Sequence, residues 1–222
     1  MKEGAVSKTY PLELEISGPT AMWTRPDTGD APVSYPAPTL AAANGIFESI
    51  LWLRNAEVVP THVEICRPVV FHRYFTNYGG PLRKGGGKDD NSHQLIATVL
   101  VNVCYRLYAG VVAYEPEDGT LTAKARAWKE TQNNGAHAYA DQFARRLKRQ
   151  QFYQMPCLGW KEFTPNYVGE FRADTQVEES VDGISIPSML LRTFKKGQFS
   201  KYDPEFTTEG LVIRKGVLRY DQ

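Results

Sequence analysis

Cysteine is scarce in this sequence. Cys66, Cys104 and Cys157 are the only three in 222 residues, odd in number, widely spaced and without a CxxC pair. That pattern argues against a disulfide framework or a cysteine zinc site and points to a reducing compartment. No apolar run approaches the roughly 20 residues that a membrane-spanning helix needs. Lys2 and Glu3 are followed by no apolar core of the signal-peptide kind. A cytoplasmic protein with no membrane contact is therefore expected. Net charge is nearly absent too, with 26 Lys and Arg against 25 Asp and Glu, so nothing global calls for a polyanion. There is no Walker loop, GxGxxG, HExxH or GxSxG, which removes the common nucleotide, zinc-protease and serine-hydrolase signatures. The carboxylate pairs Asp89-Asp90 and Glu178-Glu179 fall in loop-like stretches with no evident partner. No metal or other cofactor is expected.

What is present is local. Between Lys129 and Lys161 there are six basic residues against Glu130 and Asp141, whereas Glu170 to Asp182 holds five acidic residues against Arg172 alone. A basic face on a neutral protein still attracts phosphates, because screening acts only beyond about 10 Å. At the centre of the basic stretch, Asn133 and Asn134 can cap a helix. Ala136, Ala140, Phe143 and Leu147, spaced 4, 3 and 4 apart, give that helix one apolar stripe. His137, Asp141 and Lys148 share a flank of the stripe, and Arg145 and Arg149 lie opposite it. Pro156 ends the helix, and Leu158–Val168 reads as extended. Arg145, Arg146, Lys148 and Arg149, four cations in five residues, are candidate ligands of an RNA backbone.

Along the chain, Tyr10, Leu12, Leu14 and Ile16 alternate with Glu13 and Glu15, predicting a half-buried strand. Gly18–Pro38 is loop-like and holds Met22-Trp23 and Arg25. Thr39 caps a helix whose stripe is Leu40, Ala43, Phe47 and Ile50. Val58–Phe75 is β-branched and aromatic, with Pro60 and Pro68 marking ends or bulges. Thr76–Gln94 contains five glycines and reads as a flexible excursion in which Arg83 and Lys84 are candidate RNA contacts. Leu95–Tyr114 is strand-rich, Ala123–Glu130 starts a helix, and the helix of His137 follows. The order strand, helix, strand, strand, helix, strand predicts an α+β chain with a ferredoxin-like, RRM-like βαββαβ domain over 1–168. The excursion 76–94 interrupts that domain. Residues 169–222 change character and predict a small β-rich C-terminal domain.

Several spaced motifs then resemble one family. Val33-Ser34-Tyr35-Pro36, Pro38-Thr39, Gly45-Ile46-Phe47-Glu48-Ser49-Ile50 and Trp52 are similar to the N-terminal signature of the CRISPR-associated RAMP subunit of type I-C systems, Cas-five of subtype d or c. Arg67-Pro68-Val69 resembles its basic-Pro-apolar strand, which makes Arg67 a further candidate RNA ligand. Asn134-Gly135 with His137, then Gln154, Pro156-Cys157-Leu158-Gly159 and Glu162-Phe163, resemble its second signature.

The resemblance implies a crRNA-handling subunit. It would cleave precursor CRISPR RNA without metal, leaving a 2′,3′-cyclic phosphate and a 5′-hydroxyl. It would then remain on the 5′ handle, with the excursion 76–94 as a thumb. Its partners would be crRNA, the other subunits of the interference complex and target DNA. Of the family's proposed Tyr, Lys and His active site, His137 is retained, while Leu51 stands at the tyrosine position and Ala136 at the lysine position. A non-catalytic RNA clamp is therefore the alternative. Tyr139, Arg145 and Lys148 are candidates for other parts of the site, His62, His72 and Tyr35 are the residues from which a rebuilt site would be drawn, and Ala136→Lys is the change expected to return the missing cation.

Overall fold

The computed structural model describes residues 9–78, 93–114, 135–194 and 202–220, together with Ala123 and Ala127. Most of the glycine-rich excursion, including Arg83 and Lys84, lies outside the described residues. So do the Asn133-Asn134 cap and all of the 123–130 helix but those two alanines.

The alternating N-terminal stretch forms β1 (Tyr10–Ala21), which carries Leu12, Leu14 and Ile16 into the core. Helix α1 (Leu40–Ile50) begins where the Thr39 hydroxyl accepts from the Ala42 N–H at 3.1 Å. It ends where Leu51 turns to an extended conformation. Strand β2 (Ala56–Ile65) has a register shift between Pro60 and His62, as expected of a proline inside a strand. Strand β3 (Phe71–Tyr78) follows after a break, and β4 (His93–Ala113) is a single run of 21 residues. Helix α2 (Gly135–Lys148) leads through a long irregular stretch to β5 (Tyr167–Gly169). The chain ends in β6 (Ile184–Ile186), β7 (Leu190–Arg192), β8 (Glu205–Phe206), β9 (Leu211–Ile213) and β10 (Val217–Arg219).

The main sheet has the order β10-β2-β4-β1-β5, with β3 also on β4, and every pairing in it is antiparallel. Strands β2 and β3 lie end to end along one edge of β4, so β3 and the first part of β4 form a hairpin that extends beyond β1. Thr76–Tyr78 pair with Leu95–His93, which moves both ends of the expected excursion into strand. β6 pairs with β9 and β7 with β8 as separate two-stranded ladders. Both helices pack one apolar side into a common core with the odd-numbered residues of β4 from Ala97 to Val111, and Phe47 meets Phe143 at 5.7 Å between ring centroids.

β1 also runs on to Ala21, into the stretch expected to be loop, and two further expectations change. Leu158–Val168 is strand only from Tyr167. Leu158 instead exchanges backbone hydrogen bonds with Met22 and Phe163, at 2.8 Å each. Gly159 adopts φ +94°, where a Cβ would overlap the Met22 carbonyl, so this stretch is a turn held against the end of β1. The second change is on β1. Glu15, expected on a solvated flank, is fully buried.

Candidate functional site

His137 is the third residue of α2 and is well exposed, its side chain keeping 58% of its accessible surface. Its Nδ1 is 3.5 Å from the Asp141 carboxylate one turn on, and the Tyr10 ring meets the imidazole edge-on at 5.2 Å. The i,i+4 spacing predicted the Asp141 contact. Tyr10 was not predicted, since only the pairing of distant elements brings β1 to the start of α2. A carboxylate this close to Nδ1 favours the protonated imidazole.

The two replaced positions are closed. Leu51 and Ala136 are buried in the core, 2% and 0% exposed. The Tyr139 hydroxyl donates to the Leu51 carbonyl, which ties α2 to the end of α1. Burial pushes the Tyr139 phenol well above its ordinary range. Tyr139, a candidate for another part of the site, is therefore a core residue that α2 buries in preference to Ala140. Tyr35 is also buried, and its hydroxyl donates to the Ser188 carbonyl at 2.8 Å. Burial raises its phenol too. His62 stacks on Tyr108 at 4.2 Å and bonds the Thr61 hydroxyl at 3.0 Å, on the face of the sheet away from α2. His72 is exposed on β3. None of these four joins His137 and Asp141.

Along α2, Arg145, Lys148 and Arg149 are exposed, while Arg146 is half-buried and donates from Nε to the Gln151 carbonyl at 2.8 Å. Arg146 therefore closes the helix C-terminus, where a cation is favoured by the exposed carbonyls. The other three remain open to a ligand. Arg67, at the break between β2 and β3, is exposed and donates to the Asn102 side chain. Asn102 itself holds φ +55° in the middle of β4. For a single-stranded RNA, each phosphate contact contributes about 0.7 to the slope of log affinity against log salt. The double variant Lys148→Ala/Arg149→Ala is expected to bind more weakly and to flatten that slope by about 1.4. An unchanged slope, measured by fluorescence anisotropy at several salt concentrations, would reduce these side chains to a solvated face.

The sheet face away from the helices carries a network that the sequence did not announce. Glu15 accepts from the Arg172 Nε at 2.6 Å, the Arg172 backbone N–H at 3.1 Å and the Thr175 hydroxyl at 3.0 Å. Arg106 lies 3.6 Å from the same carboxylate and donates to the Arg172 and Thr175 carbonyls. Phe171 covers Arg106 at 4.8 Å and meets Tyr108 at 5.3 Å. Burial alone would raise the Glu15 pKa. The Arg172 backbone N–H and guanidinium, with the Thr175 hydroxyl, outweigh it and hold the carboxyl below its usual range. Two clefts of about 470 and 560 Å³ open elsewhere, one beside Arg25 and Tyr35 and the other between α1, β2 and the β7–β8 ladder. Neither is lined by His137.

By fold the chain is like CRISPR-associated proteins of known structure. One, described as "Crystal Structure of CRISPR-associated Protein", superposes with a TM-score of 0.65 at 16% identity, covering 97% of this chain and 94% of that one. A chain of a "CRISPR RNA-guided surveillance complex" gives 0.54 at 15% identity, covering 96% and 92%. The Cas5d profile of the family described as CRISPR-associated protein (Cas_Cas5) matches residues 11–186, and the chain belongs to that family. It is 27% identical over 172 residues to the "CRISPR pre-crRNA endoribonuclease Cas5d" of Mannheimia succiniciproducens, 70% of this chain and 71% of the relative. It is 28% identical over 156 residues to the protein of the same name from Thermus thermophilus, 68% of this chain and 61% of the relative. Among the described residues no helix is long and apolar enough to cross a membrane.

Proposed function

We propose that this chain binds the repeat-derived 5′ handle of crRNA, processes precursor CRISPR RNA without metal, and remains in the RNA-guided interference complex of a type I-C system. Membership of the Cas5d family carries the reading, and the names of the relatives support the substrate class. Locally, the supporting observation is His137, exposed at the start of a basic helix with the Asp141 carboxylate 3.5 Å from its Nδ1. In the reaction the 2′-hydroxyl attacks the adjacent phosphorus and the bond from phosphorus to the 5′-oxygen breaks. The products are a 2′,3′-cyclic phosphate and a 5′-hydroxyl. His137 takes the 2′-hydroxyl proton or gives one to the leaving 5′-oxygen, a role worth about 10²–10⁴-fold. Arg145, Lys148 and Arg149 hold the backbone.

A second reading has its own observation. Leu51 and Ala136 are apolar and buried where the family places its phenol and ammonium, and a chain so built clamps RNA without cutting it. Incubation with labelled repeat RNA in EDTA separates the two. Cleavage by the wild type, lost in His137→Ala while handle binding persists, supports the catalytic reading. No cleavage with tight binding supports the clamp. Cleavage by His137→Ala at the wild-type rate would make this histidine structural.

The same proposal extends to the architecture. The antiparallel order β5-β1-β4-β2, with α1 and α2 as the two crossovers, is consistent with a ferredoxin-like domain over residues 1–168. The short ladders after residue 169 are consistent with a β-rich appendage. The excursion between β3 and β4 in sequence would act as the thumb toward a neighbouring subunit, target DNA would be a further partner, and the protein would work in the cytoplasm.

A further inference from the structure

The sheet face away from the helices is covered unevenly. Over β1 and the middle of β4, Phe171–Thr175 lies on Glu15, Arg106 and Tyr108. Over the outer part of the β3–β4 hairpin the same face is open among the described residues: Phe71, Phe75 and Ile96 keep 47%, 55% and 46% of their surface exposed, whereas Leu100, across from Phe71, is buried. Strand alternation puts Phe71, Arg73 and Phe75 in one row, opposite Leu100, Thr98 and Ile96. Tyr74, between them, turns the other way and meets Trp160 and Phe163 edge-on at 6.5 and 5.3 Å. Successive members of the row are about 7 Å apart, ring, guanidinium, ring.

A solvated strand face is ordinarily polar, so two half-exposed phenylalanines in register need an occupant. Charge selects its kind. From Cys66 to Tyr78 and from His93 to Leu100 there is no aspartate or glutamate, while Arg67 and Arg73 are present and exposed. Arg73 is exposed between the rings. Aromatic faces alternating with a cation on an acid-free strand suit unpaired bases and their phosphates. A protein partner would use the rings but would leave Arg73 without a counter-charge unless it brought an acid to that point.

We infer that Phe71, Arg73 and Phe75 form a stacking platform for single-stranded RNA, with bases on the two rings and Arg73 on the backbone between them. The inference rests on the RNA-handling reading and adds a second contact surface, separate from His137 and α2. It is tested with labelled single-stranded repeat RNA carrying 2-aminopurine, whose fluorescence falls when the base stacks. Phe71→Ala and Phe75→Ala are each expected to weaken binding about tenfold, to restore probe fluorescence and to leave the salt slope unchanged. Arg73→Gln should lower the slope by about 0.7. Phe75→Leu, which keeps the apolar bulk, should lose the quenching like the alanine, and unchanged thermal unfolding shows that the variants fold. Wild-type affinity and quenching in both alanine variants would overturn the platform while leaving the RNA reading intact. Unchanged RNA binding with loss of copurifying complex subunits would overturn it in favour of a protein contact. Failure of the wild type to bind the RNA would sink both readings.

Discussion

Ala136→Lys should unfold or severely destabilise the protein instead of restoring a catalytic cation. The alanine side chain is fully buried on the core side of α2, in the same cluster as Phe47, Phe143 and Leu147. A lysine there has to place four methylenes in packed space and leave an ammonium without a partner. An uncompensated buried charge costs about 3–5 kcal/mol, and overpacking adds to it. Urea unfolding is the measurement. The neighbouring Ala138→Lys, at a half-buried position on the same turn, is the control and should cost far less. Equal stability of Ala136→Lys and wild type, with gain of cleavage, would mean that α2 rotates or that the lysine reaches solvent along its stem. The family pattern suggested the restoring change, and the packing around position 136 is what argues against it.

Glu15→Ala should cost about 3 kcal/mol, since removing one member of a buried ion pair strands the other. The lower end of that range applies because Arg172 keeps a third of its side chain in water. For a domain of this size the change lowers Tm by roughly 10 °C. Glu15→Gln, which keeps an acceptor for Thr175, should lose less. The pH dependence follows from the depressed carboxyl pKa. The unfolded chain takes up the proton at higher pH than the folded one. The carboxylate therefore stabilises the fold fully above the ordinary glutamate range, and that contribution fades as the pH falls through it toward the folded value. Stability of Glu15→Gln should accordingly decline less steeply on acidification than that of wild type. Parallel acid profiles would show that Glu15 carries no such linkage.

These two residues also show what was legible in the sequence. The Thr39 cap, the stripe of β1 and the contact of His137 with Asp141 are local, set by spacings of one turn or one pleat, and each was readable. In α2 the period was right but the detail was not, because Tyr139 and Ala140 both satisfy it and the core takes the larger ring. Glu15 could not be read, because its partners Arg172 and Thr175 come more than 150 residues later. Leu158–Val168 misled because its apolar residues anchor a turn at Gly159 instead of a strand. The aromatic alternation of β3 was visible, but which parity would be left uncovered depends on where Trp160 and Phe163 land.

The pairing of β10 with β2 joins Val217 to Glu64, about 150 residues apart in sequence, and bears on the birth of the molecule. During synthesis β2 can pair with β4 as soon as that strand has left the ribosome, but its other edge stays open until residues 217–220 have followed. Tyr220 then completes the edge, its N–H donating to the Thr61 carbonyl and its hydroxyl to the Pro38 carbonyl. Between the release of β4 and that of β10 the sheet thus presents a bare strand to its neighbours on the polysome, the situation in which strands of different chains join. Abundance in the cell should therefore depend on how quickly the residues between β4 and β10 are made, a sensitivity that the equilibrium stability of the folded chain does not register.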